Sequence, residues 1–134
     1  MTATRPPEDA PHAEIVQRFR FESAHFLPNV SPLHRCRRVH GHSYAVDVHV
    51  AGPVGERTGW VVDFADIERA FAPLLEALDH HLLNEVEGLD NPTAERMAAW
   101  IWERLAPELP GLSRVVVHET EDSWATYRGP AWRP

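Results

Sequence analysis

"HGHSYAVDVHV", residues 40–50, alternates without a break: His40, His42, Tyr44, Val46, Val48 and Val50 fall on one face, Asp47 and His49 on the other. A period of two over this length predicts a half-buried β-strand, and it sets two histidines at the head of the apolar face. "IVQRFRFESAH", residues 15–25, alternates in the same way. Ile15, Gln17, Phe19, Phe21, Ser23 and His25 share a face, and His25 closes it. Between the two strands "FLPNVSPLHRC" carries two prolines and no period, which predicts a loop that delivers Cys36 to the start of the second strand.

Working outward, "AGPVGERTG" (51–59) is rich in turn residues and leads into "WVVDF" (60–64), a short predicted strand. From Asp63 the period changes. Phe64, Ile67, Phe71, Leu74, Leu75 and Leu78 follow helical spacing, with Asp63 as N-cap, and Pro73 is expected to kink or divide the helix. "LDHHLLNE" (78–85) closes it. "DNPTAERMAAWIWERLAP" (90–107) opens a second helix capped by Thr93, with Ala94, Met97, Ala98, Ile101 and Leu105 on one face. "SRVVVHET" (113–120) and "SWATYRG" (123–129) complete the chain as strands. The order ββααββ predicts an α+β domain, a four-stranded antiparallel sheet with two helices on one face.

The 134 residues suit one domain, with 43% hydrophobic and 25% charged residues in the range of a folded globular chain. Thirteen basic and 20 acidic residues give a formal charge of −7, which argues against a nucleic-acid partner. The local cluster Arg35, Arg37 and Arg38 suits a small anion. A single cysteine, no apolar leader and no apolar run long enough to span a bilayer predict a cytoplasmic protein that does not enter membranes. The Pro- and charge-rich start, residues 1–13, is expected to be a mobile tail, and 14–134 the domain.

Chemistry concentrates near residues 25–42. Paired as neighbours, the two first strands would bring His25, His40 and His42 to one place, and residues two apart on a strand lie roughly 6 to 7 Å apart on the same side. Three neutral imidazoles with a fourth position open describe a catalytic zinc site. Buried histidines bonded to backbone carbonyls would present the same pattern. His34, His49 and His118 belong to no such group. Cys36 is either a small buried hydrophobe, a thiolate base or nucleophile favoured by its arginines, or a resting fourth ligand. Asp79 beside His80 can orient an imidazole for proton transfer, although a solvated helix end reads alike. Glu119, at the end of the face carrying Val115 and Val117, is either paired or placed to accept an amidine-like pair of N–H groups.

Six blocks in order, "SAH", "CRRVHGHSY", "VVDFADI", "LDHHLLN", "NPTAE" and "HETEDSWATY", resemble the 6-pyruvoyl-tetrahydropterin synthase family over about Phe19 to Tyr127. With Cys36 four residues before His40, the chain is most similar to the bacterial, carboxy-forming branch. The resemblance implies the tunnelling fold (T-fold), in which sheets from three subunits close a barrel and two trimers stack into a homohexamer with active sites between subunits. It implies zinc on His25, His40 and His42, Cys36 as base, Asp79 with His80 as proton relay, and Glu119 as anchor of the pterin ring. His81 is a second candidate for the relay imidazole. Thr93 and Glu95 fall where the family lines its pterin pocket. The implied substrate is 7,8-dihydroneopterin triphosphate, converted to 6-carboxytetrahydropterin, acetaldehyde and triphosphate in 7-deazapurine (queuosine-type) biosynthesis. A pyruvoyl-forming enzyme, a lyase on a related pterin and a non-catalytic zinc- and pterin-binding protein are the alternatives.

Overall fold

A computed structural model describes residues 8–134. Four antiparallel strands, β1 (His12–His25), β2 (His40–Pro53), β3 (Leu112–Thr120) and β4 (Ser123–Tyr127), form one sheet in the order β1-β2-β3-β4. Between β2 and β3 run two helices, α1 (Phe64–Leu78) and α2 (Ala94–Leu105). The α+β plan is the one the sequence predicts. The expected tail lies mostly outside the described residues, and β1 already begins at His12, which faces Pro53 of β2.

Both helices sit on one face of the sheet, α1 over β1 and α2 over β3 and β4. The alternation in β1 and β2 explains why: Phe19, Phe21, Val46, Val48 and Val50 turn towards the helices, and Val115 and Val117 of β3 join them. From above, α1 returns Ile67, Phe71 and Leu78, and α2 returns Met97, Ala98, Ile101 and Leu105. Phe19 and Phe71 stack with ring centroids 4.1 Å apart, so sheet and helix interlock. Each such side chain, fully buried, contributes about 1.5–3 kcal/mol.

Asp63 caps α1 by accepting the Ala65 N–H, and Thr93 caps α2 by accepting the Arg96 N–H at 3.1 Å. Pro73 does not divide α1. It lies on the exposed side, where a carbonyl that loses its partner can turn to water. "WVVDF" forms no strand. β2, the strand that residues 60–63 follow, is already flanked by β1 and β3; they bend from Gly59 (φ 72°) to the Asp63 cap, with Val61 and Val62 packed against the core.

Gly111 turns the chain into β3 where β2 carries an irregularity between His49 and Val50. A Cβ there would lie 2.6 Å from the Ala51 carbonyl oxygen. The opposite face of the sheet is polar: Arg18 clamps Asp47 at 2.6 and 2.8 Å, His118 meets Asp47 at 3.0 Å, and Glu14 receives Arg114 and His49 at 2.6 and 3.0 Å. Bonded first to Arg114, the Glu14 carboxyl is held down at about 2. No helix among the described residues is long and apolar enough to cross a membrane.

Candidate metal centre and ligand cleft

The β1–β2 register pairs His25 with His40 directly and Ser23 with His42, so the parity read from the sequence becomes one cluster. Ring centroids are 4.6 Å apart for His25 and His40, 5.0 Å for His25 and His42, and 4.9 Å for His40 and His42. One ligand nitrogen from each lies within 4.8 Å of the others.

Backbone carbonyls fix which nitrogens are free. His25 Nδ1 donates to the Pro92 carbonyl at 2.8 Å, just before the Thr93 cap of α2, and His40 Nδ1 donates to the Arg38 carbonyl at 2.7 Å. Each ring so held turns Nε2 and its lone pair the other way, the arrangement that metal-binding histidines use. His25 Nε2 and His42 Nε2 are buried without a hydrogen-bond partner. An unpaired buried nitrogen costs about 1–3 kcal/mol, and two aimed at one point fit a cation there. Burial pushes both rings below the usual 6.5, so they are neutral and ready to ligate at neutral pH.

Glu119 of β3 faces the same point, its two oxygens 3.7 Å from His42 Nε2 and 3.9 Å from His25 Nε2. It also lines a cleft of about 430 Å³ with Ala94, Glu95, Ser123, Trp124, Ala125 and Thr126. Glu119 therefore links the histidine cluster to a space bounded by the start of α2 and the strand β4. Glu95 is among the residues that line this cleft. Thr93 spends its hydroxyl on the helix cap. Trp124, 57% exposed on the edge strand β4, carries no sequence signal that sets it apart as a cleft residue.

Cys36 sits in a short 3-10 turn, Arg35–Arg37, tied to the end of β1 by the Leu27 N–H to Cys36 carbonyl bond of 2.8 Å. His34 turns out to brace that turn, its Nδ1 accepting the Cys36 N–H at 3.0 Å. The thiol is half-buried and does not join the histidine group.

The structure does not bring Asp79 and His80 to this cluster through any contact among the described residues. They cap α1 on the outer edge of β1, the edge away from β2. Asp79 Oδ1 accepts the Glu22 N–H at 3.0 Å, His80 donates its N–H to the Glu22 carbonyl at 2.6 Å, and His80 Nδ1 lies 2.8 Å from Asp79 Oδ1. The Glu22 N–H, and after it His80, hold the Asp79 carboxyl below its ordinary value. Ser23 locks the segment by donating to the Leu78 carbonyl and accepting the His81 N–H. The His81 ring turns instead to the Glu76 carbonyl.

His80 has φ 58°, the one left-handed non-glycine residue among those described. Such a backbone costs about 1–2 kcal/mol for a residue with a Cβ. His80→Gly should therefore exceed His80→Ala in stability by about 0.5–1 kcal/mol, because both lose the imidazole and only glycine sheds the strain. Urea midpoints of the two variants measure it; equal midpoints would mean the turn is unstrained.

Three imidazoles facing one point could hold a metal ion, with a carboxylate and a cleft beside them. The description "6-pyruvoyl tetrahydropterin synthase" matches residues 14–130, and the chain belongs to this family of enzymes. It is 42% identical to the 6-carboxy-5,6,7,8-tetrahydropterin synthase of Synechocystis sp., over 90% of this chain and 96% of that protein. It is 34% identical to the dihydroneopterin monophosphate aldolase of Pyrococcus furiosus, over 74% of this chain and 80% of that one. The solved Caenorhabditis elegans 6-pyruvoyl tetrahydropterin synthase superposes with a TM-score of 0.83 at 26% identity, covering 90% of this chain and 97% of that chain. The fold is thus the T-fold of these enzymes.

Proposed function

We propose that the chain is a zinc-dependent, cytoplasmic 6-carboxy-5,6,7,8-tetrahydropterin synthase of 7-deazapurine (queuosine-type) biosynthesis. It converts 7,8-dihydroneopterin triphosphate and water to 6-carboxytetrahydropterin, acetaldehyde and triphosphate. The observation that carries this is the pair of buried, partnerless Nε2 atoms of His25 and His42 facing Glu119 at the mouth of the cleft. The 42% identity to the Synechocystis enzyme favours the carboxy-forming product.

Zinc held by His25, His40 and His42 would supply Lewis-acid polarisation of the substrate's side-chain hydroxyls. Glu119 accepts the paired N–H groups of the pterin ring, with Glu95 and Thr93 at the start of α2 bounding the pocket. Cys36 removes a side-chain proton. Asp79 holds His80 in one tautomer, and His80 returns a proton as the side-chain carbon–carbon bond breaks and triphosphate departs. Arg35 and Arg38, exposed beside Cys36, take the triphosphate.

Because Asp79 and His80 lie on the outer edge of β1, the relay of each site comes from a neighbouring subunit. The free edge of β4 and the N-terminal part of the β1 edge are unpaired ladders suited to closing a trimeric barrel, and the assembly is a homohexamer of two stacked trimers.

Incubating zinc-assayed protein with 7,8-dihydroneopterin triphosphate should yield carboxytetrahydropterin and acetaldehyde in equal amounts. A pyruvoyl product without acetaldehyde would replace the carboxy-forming assignment. Turnover of the monophosphate in preference would favour the activity of the Pyrococcus relative, and inertness towards all of these would leave a pterin-binding protein.

A further inference from the structure

Tyr44 is 1% exposed, and its hydroxyl has no hydrogen-bond partner. It stacks on Phe21, its cross-strand neighbour, at 5.1 Å, and its ring lies 5.5 Å from His42 and 6.0 Å from His25. The β2–β3 ladder runs to the Ala45 and His118 pair; Tyr44 and Glu119 are the next residues on the two antiparallel strands, so they lie together at that end of the ladder. A phenol hydroxyl carries one O–H to donate.

A phenylalanine would fill the same space without stranding a hydroxyl, whose burial unpaired costs about 1–3 kcal/mol. Glu119, for its part, accepts no hydrogen bond from the described residues, although its oxygens lie 3.7 and 3.9 Å from the metal-facing nitrogens of His42 and His25. Were a cation held by these histidines, a carboxylate left free would be drawn towards it and away from the cleft.

We propose that Tyr44 is a positioning residue: its hydroxyl, directly or through one water, holds the Glu119 carboxylate towards the cleft and off the metal. The proposal rests on the pterin reading for what Glu119 grips, but not for the tether itself. A buried donor and an unsatisfied acceptor on adjacent strands satisfy one another, and the pair separates two tasks that compete for the same carboxylate.

Tyr44→Phe tests this with three readouts. The metal-free variant should fold with a urea midpoint only slightly below that of wild type, the loss of one hydrogen bond from an otherwise intact core. Its cobalt(II)-substituted form should show a changed visible spectrum as Glu119 joins the metal, reverting when Glu119→Gln is added. Neopterin affinity should fall about tenfold, with KM raised about tenfold and kcat changed less than threefold. A variant with wild-type cobalt spectrum, neopterin affinity and KM would overturn the tether. If wild type itself takes up no pterin, the pterin reading fails, while the cobalt spectra still decide the role of Tyr44.

Discussion

His25→Ala should reduce bound zinc from about one ion per chain to a small fraction and lower turnover by roughly a thousandfold or more, the several kcal/mol a Lewis acid supplies. The protein should still fold. The substitution removes the 2.8 Å bond to Pro92, but it also removes a buried Nε2 that has no partner, and these two changes oppose one another. The same ring predicts an acid limb. Burial depresses the His25 and His42 values below 6.5, so between 6.5 and those lower values the unfolded chain binds more protons than the folded one. The stability contributed by the neutral rings is therefore present above about pH 6.5 and lost as pH falls through the folded values. Urea midpoints of metal-free protein from about pH 7.5 to about pH 5 should decline, and His25→Ala should flatten the decline. Full zinc occupancy in His25→Ala would remove this residue from the metal site.

The histidine cluster was legible because its members obey strand parity. His25, His40 and His42 each end or begin an alternating run, and antiparallel pairing of adjacent strands leaves only the register to be found. Glu119 followed from the same rule on β3. Helical periodicity and two side-chain caps located α1 and α2. "WVVDF" misled because β-propensity says nothing about whether a neighbouring strand has a free edge. Pro73 misled because its cost depends on whether it faces solvent. Trp124 and Tyr44 needed three dimensions: one lines a cleft made by two elements far apart in sequence, and the other matters only through the strand opposite it.

The placement of Asp79 and His80 on the outer edge of β1, bonded to Glu22, leads to the second large effect. Cys36→Ala and His80→Ala should each lower turnover by about 100-fold or more while keeping fold and, for Cys36→Ala, zinc. A general acid or base acts within hydrogen-bond reach, about 2.6–3.2 Å, directly or through one water. Within one chain the relay is fastened to Glu22, three residues and roughly 10 Å along β1 from His25, and on the edge that faces away from β2. His80 keeps a side chain that is 77% exposed, open to an adjacent molecule. If one subunit supplies Cys36 and the next supplies His80, co-assembling the two inactive variants in equal amounts creates intact sites wherever the unmutated halves meet. Random mixing across such an interface returns roughly a quarter of wild-type activity. The double variant assembled with wild type gives a control: also roughly a quarter for a shared site, but about half for a site contained in one chain. No recovery from the mixed single variants, in assemblies shown to contain both, would place Cys36 and His80 in the same subunit's site.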